Sequence, residues 1–183
     1  INDWGVGTKI ITSFDQAALG AVYKLVSIED DQGEMVPTMK ISANTSKIST
    51  PGKKQVWRIT RKHDGKSEGD YIALVDERPD LLDELFMFHP VHTYINKTVK
   101  DFDARPLLQT IYQNGQFVYD LPSLEEIKAY AKKNFDCLWE EHKRILNPQI
   151  YPVDLSQKLY DLKMNSIKEI RDRVSQKDQQ VAK

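Results

Sequence analysis

Cysteine is almost absent from this chain. Cys137 is the only one, so no intrachain disulfide can form and a multi-cysteine zinc site is excluded. A single thiol fits a reducing, cytosolic compartment. Long apolar runs are also missing: none reaches the roughly 20 residues that span a bilayer, and no stretch has the pattern of a secretory signal. Charge of one sign is not in surplus. Lys and Arg number 26 against 27 Asp and Glu, spread along the whole chain. That argues against the basic face or stripe of a dedicated nucleic-acid binder but leaves room for a local basic pocket. There is no Gly-x-Ser-x-Gly elbow, no Cys-His pairing in a recognisable context, and no carboxylate pair at helical spacing in a cleft-like segment. Glu140-Glu141 reads as a solvated helix face. His89 and His92 form a His-x-x-His pair, but tetrahedral zinc needs two further ligands, and His63 and His142 fall in a turn and a helix. The chain therefore carries no evident acid, base or nucleophile. It opens at Ile1 with no initiator methionine, and we expect it to be a piece of a longer protein.

What is present is an ordinary globular composition, 40% apolar and 29% charged over 183 residues, enough for one domain or one and a half. Near the start, Gly5-Val6-Gly7-Thr8 places two glycines around one residue and a hydroxyl after them. Such a turn lets a ligand approach without a Cβ in the way, and its successive N–H groups can converge on an anion. A plain tight turn fits the same residues. Leu19 to Ile28 reads as a strand buried on both faces, with Lys24 as its odd residue: either a lysine that snorkels to the sheet edge or a cation fixed to meet a phosphate. Residues 42–54 form a long polar loop with Lys47, Lys53 and Lys54, suited to oxyanions and equally to solvent.

Further along, residues 55–60 and 70–76 read as strands joined through Asp64-Gly65. Phe86 to Val99 holds more strand, and Asn114-Gly115 marks a two-residue hairpin turn. The pattern changes at Pro122. Ser123-Leu124-Glu125-Glu126 is a capping box, followed by one helix whose stripe runs from Ile127 through Phe135 and His142 to Ile145. A second helix is expected from Pro152 through Val174, with residues 175–183 frayed. The division expected is residues 1–20 as the last part of a barrel with the glycine loop, 21–120 as a mostly antiparallel β region, and 121–183 as a helical C-terminus.

Seven stretches in order carry a family resemblance: residues 4–9, 19–26, 40–42, 51–56, 88–93, 104–108 and 151–159. Together they resemble the C-terminal part of bacterial nicotinate phosphoribosyltransferase. The resemblance implies an α+β segment within a larger α/β-barrel enzyme: the end of an irregular barrel, an antiparallel sheet belonging to an α/β sandwich, and C-terminal helices. It implies a homodimeric cytoplasmic enzyme of NAD salvage. That enzyme joins nicotinate to phosphoribosyl pyrophosphate (PRPP), with ATP hydrolysis coupled through a phosphorylated histidine and Mg2+ accompanying PRPP. It places the 5′-phosphate of PRPP at Gly5, Val6, Gly7 and Thr8, and suggests PRPP-facing roles for Lys24 and Lys47. The phosphorylated histidine and the base-reading residues belong to the N-terminal barrel portion, so this segment alone is expected to be inactive. Two other readings stand beside it: a non-catalytic accessory or dimerisation module, and a nicotinamide or quinolinate phosphoribosyltransferase.

Overall fold

The computed structural model describes residues 3, 5–7, 22–44 and 47–181. Its organising element is the hairpin expected around Asp64-Gly65. After the short strands β1 (Ser27–Glu29) and β2 (Met35–Pro37), β3 (Lys54–Arg61) and β4 (Ser67–Leu74) pair antiparallel, with Trp57 opposite Tyr71 and Arg58 opposite Asp70. Alternation along both strands sends Trp57, Ile59, Tyr71 and Ala73 inward. A 3-10 turn (Pro79–Leu81) then leads to β5 (Glu84–Phe88) and β6 (Asn96–Lys100), a two-stranded ribbon. The ribbon contributes Leu85, Met87 and Val99 to the same core, and β7 (Phe102–Pro106) adds Phe102 while pairing with β3. Each such buried side chain contributes about 1.5–3 kcal/mol. The hairpin β8 (Tyr112–Gln113) and β9 (Gln116–Phe117) closes through Asn114 and Gly115, both at positive φ, as the Asn-Gly pair requires.

Several expectations are corrected. Residues 22–26 form no strand and are largely exposed, with Val22 at 78% and Tyr23 at 90%; only Ser27–Glu29 pairs, with the edge strand that Pro37 ends. The capping box is in place, Ser123 Oγ accepting from Glu126 N–H and Glu126 Oε2 accepting from Ser123 N–H (2.7 Å). The helix it starts, however, is α1 (Leu124–Asp136), and only a short turn of helix, α2 (Glu140–Lys143), follows. Tertiary bonds interrupt it. Ser67 N–H donates to Cys137 O (2.8 Å), and Lys66 Nζ donates to Asp136 O and Leu138 O. Trp139 lies between the two helices in extended backbone, its Nε1 donating to Ser67 O (2.8 Å), with the Arg61 guanidinium 4.4 Å from its ring centre.

The second helix also begins later than expected. Val153–Leu155 is a strand, β10, lying parallel to β4 with Asp154 opposite Tyr71, giving the sheet order β10-β4-β3-β7. Ile72 on β4 is claimed by Ser156 N–H (2.8 Å), and Pro152 O by Asp70 N–H (3.0 Å), so ladder bonding overrides the helical signal of Pro152. Helix α3 (Gln157–Val181) follows, its first turn capped by Ser156 Oγ, which accepts from Leu159 N–H (3.1 Å). It runs on through the polar residues expected to fray; Lys, Gln and Arg are good helix formers and no Pro or Gly interrupts them. Among the described residues, no helix is long and apolar enough to cross a membrane. The architecture is the α+β mixture expected, small sheets followed by a C-terminal helix.

Candidate functional site

The polar loop between β2 and β3 is held from within. Lys54 opens β3 and turns its ammonium back, donating to Thr50 O (2.7 Å) and Gly52 O (2.5 Å), and burial lowers its pKa from the ordinary lysine value. The buried Ser49 hydroxyl accepts from Lys40 N–H (3.0 Å). Gly52 stands at φ +86°, and a Cβ there would lie 3.1 Å from Leu74 Cδ2 and 3.3 Å from Leu162 Cδ2, so glycine is required for both its backbone and its neighbours. Its N–H donates to Val26 O (2.7 Å), which also accepts from Thr38 N–H (3.0 Å). One carbonyl thus ties the stretch bearing Lys24 to the loop bearing Lys47.

Lys24 is exposed two residues before that tie. Lys47 is exposed at a single turn, its N–H donating to Asn44 O (3.0 Å). Among the described residues neither ammonium has a hydrogen-bond or ion-pair partner. Gly5, Val6 and Gly7 are exposed, and nothing lies within 4 Å of a Cβ built on either glycine. Thr8 lies outside the described residues. The structure therefore gathers Lys24 and Lys47 onto two joined segments, and among the described residues no hydrogen bond links either to Gly5–Gly7.

A second polar cluster escaped the reading of the sequence. Arg58 clasps Asp70 with Nε to Oδ1 (3.0 Å) and Nη2 to Oδ2 (3.2 Å), and its Nη1 donates to Asn134 Oδ1 (2.9 Å). The same Asn134 oxygen accepts from Arg105 Nη2 (2.9 Å). Tyr151 OH donates to Asp70 Oδ1 (3.0 Å) and lies 2.6 Å from Ser67 Oγ. The bonds to Asp70 raise the Arg58 pKa further, and burial pushes the Tyr151 phenol up to about 12. These groups are bonded to one another, so the cluster fastens α1 and the Tyr151 segment to the hairpin rather than presenting a ligand site. The Asp64-Gly65 turn contained the signal, since the register it sets puts Arg58 opposite Asp70.

The histidines form no metal centre either. The rings of His89 and His92 are 5.0 Å apart, and His89 Nδ1 accepts from Val91 N–H (3.1 Å) and His92 N–H (2.9 Å). Among the described residues no group of three or more His, Cys, Asp or Glu is placed to hold a metal ion.

Fold and site together define an α+β segment with small sheets, a C-terminal helix and two exposed lysines on joined loops, consistent with a part of a larger enzyme. Residues 53–163, more than half of the chain, match the family model described as nicotinate phosphoribosyltransferase C-terminal domain. The chain belongs to the nicotinate phosphoribosyltransferase family. It is 51% identical over 176 residues to the nicotinate phosphoribosyltransferase of Bacillus subtilis, covering 96% of this chain and 36% of that protein. It is 34% identical over 159 residues to the Mus musculus enzyme of the same name, covering 87% of this chain and 28% of that protein. The crystal structure of human nicotinic acid phosphoribosyltransferase is similar at a TM-score of 0.58 and 32% identity, over 65% of this chain and 23% of that chain. The chain thus spans about a third of the length of its bacterial relative and less of the others.

Proposed function

We propose that this chain is a C-terminal portion of an enzyme that makes nicotinate mononucleotide and pyrophosphate from nicotinate and PRPP, with coupled ATP hydrolysis. The observation that carries this reading is the 51% identity to the Bacillus subtilis enzyme over 96% of the chain. In this reading Gly5, Val6, Gly7 and Thr8 cradle the 5′-phosphate, and Lys24 and Lys47 face PRPP. Their chemistry suits it: departing pyrophosphate needs fixed cations and donors, and electrostatic preorganisation is usually the largest catalytic contribution. The two exposed ammonium groups, without partners among the described residues and on segments joined by Gly52 N–H to Val26 O, support the assignment. Mg2+ enters with PRPP, and the phosphorylated histidine and base-recognition residues lie in the part of the enzyme not included here. The enzyme works in the cytoplasm as a homodimer.

The test is steady-state kinetics of the full enzyme carrying Lys24→Ala, Lys47→Ala or Thr8→Ala. Loss of one charge-assisted phosphate contact, about 1.5–3 kcal/mol, raises KM for PRPP roughly tenfold or more while KM for nicotinate stays near its original value. Unchanged PRPP kinetics in all three variants refute the site assignment.

A further inference from the structure

Residues of the segments 87–97 and 150–154 line a cavity of about 620 Å³, Asp154 among them. Asp154 is 5% exposed. It sits on β10 opposite Tyr71, so both point to the core side of the sheet. The two groups that act on it electrostatically are engaged elsewhere: Lys97 Nζ bonds Glu68 Oε2 (2.5 Å) and Glu68 O (2.7 Å), and His89 Nδ1 accepts from two backbone N–H groups. Among the described residues, the Asp154 carboxylate accepts no hydrogen bond. Burial raises its pKa, opposed in part by the charges of Lys97 and His89. A carboxylate largely withdrawn from solvent and accepting no protein hydrogen bond is costly, and an opposite charge relieves it.

The rim is the reverse of what a finished surface shows. Ile150 is 93% exposed, Ile95 54% and Val153 43%, so apolar side chains surround an acid that accepts no hydrogen bond among the described residues. A lysine or arginine matches both features at once, its alkyl stem lying on the isoleucines and its charge reaching Asp154. The chain spans 36% of its Bacillus subtilis relative, so most of such an enzyme is available to supply that side chain.

We propose that the Asp154 cavity receives a lysine or arginine side chain from the part of the phosphoribosyltransferase that this chain does not include, latching the two parts together. This inference rests on the reading of the chain as a portion of that enzyme. The test uses the full enzyme with Ile150→Cys and follows maleimide labelling by peptide mass spectrometry, which separates the introduced thiol from Cys137. Expected is labelling at least tenfold slower than in the unfolded enzyme. Adding Asp154→Asn, which keeps the shape and removes the charge, speeds it several-fold while melting remains cooperative. If that pair of substitutions does not fold, Asp154→Glu takes its place, and the same acceleration is expected from the displaced carboxylate. Labelling as fast as in the unfolded enzyme overturns the inference. So does protection indifferent to the change at Asp154, and so does a small molecule found in the cavity by native mass spectrometry. Labelling does not depend on turnover: an enzyme with no nicotinate activity but a protected thiol would sink the functional reading and leave this one standing.

Discussion

Gly69 is the residue on which the sheet's fourth strand depends, and replacing it with alanine measures that dependence. It lies beside a bulge: Ile59 pairs with Gly69 and Thr60 with Ser67, leaving Glu68 extra. Its φ is +137°, a region almost closed to residues with a side chain. A Cβ there would lie 3.0 Å from Pro152 Cβ and 3.0 Å from Pro152 O, with Met87 Cε at 3.4 Å. The oxygen cannot retreat freely, because it accepts from Asp70 N–H at 3.0 Å in the link between β4 and β10. The backbone conformation costs about 1–3 kcal/mol, overpacking about 1–3 kcal/mol, and a weakened buried hydrogen bond about 1 kcal/mol. We expect Gly69→Ala to destabilise by about 4 kcal/mol. At about 2–4 °C per kcal/mol for a unit of this size, the melting temperature of this segment falls by roughly 8–16 °C. Gly65→Ala is the control. Gly65 also has positive φ (+68°), but nothing lies within 4 Å of its Cβ, so only about 1 kcal/mol of backbone strain applies, and reduced freedom in the unfolded chain offsets part of it. Thermal melting of the full enzyme, with amide exchange at Asp70 reporting on this sheet, separates the two. If both variants melt together, close contact with Pro152 is not what the fold requires of Gly69.

Three other outcomes follow from the same contacts. Tyr151 holds its proton to about pH 12 in the folded chain, against about 10 unfolded. Its contribution is complete below pH 10 and lost as pH rises towards 12; allowing for the partly exposed ring, Tyr151→Phe should shrink the alkaline loss of stability over that window by about 1–2 kcal/mol, and an unchanged curve from pH 9 to 12 would refute it. Asp70→Ala strands the largely buried Arg58, whose side chain is 18% exposed, and should cost about 2–4 kcal/mol in urea denaturation; a loss under 1 kcal/mol would show that Asn134 suffices. Ser156→Ala removes both the cap on Leu159 N–H and the bond to Glu77 Oε2 (2.6 Å), at about 1–2 kcal/mol, measured the same way and seen as faster exchange in the first turn of α3.

Much of this fold was legible where local chemistry has one solution. Asp64-Gly65 and Asn114-Gly115 set two hairpins, and Ser123 with Glu126 set the start of α1. The readings that failed did so where distant groups decided. Residues 127–145 have helical spacing, but spacing cannot announce that Ser67 and Lys66, some 70 positions earlier, will take the carbonyls at 136–138 and end the helix. Pro152-Val153-Asp154 looks like a helix start until β4 offers Asp70 N–H and the Ile72 carbonyl. The strand expected at 19–28 rested on β-branched and aromatic content, a measure of what packs against a neighbour; at Val22 and Tyr23 the described residues supply none.

The exposed apolar residues point to the same missing neighbour as the site does. Val22, Tyr23 and Leu25 stand out around Lys24; Ile95, Ile150 and Val153 stand out at the Asp154 cavity. Scattered exposure of single apolar residues is ordinary, but contiguous groups mark surfaces that are covered in the working protein. The first group flanks a lysine proposed to face PRPP, and the second flanks an acid that accepts no hydrogen bond among the described residues. If both surfaces meet the rest of the enzyme, the lysines take their working positions only when the parts are joined. Loosening the latch at Asp154 should then raise KM for PRPP with little change in KM for nicotinate, although Asp154 itself is remote in sequence from Gly5–Thr8, Lys24 and Lys47. An Asp154→Asn enzyme that loses protection of the 150–154 segment yet binds PRPP as before would show that the two surfaces are independent.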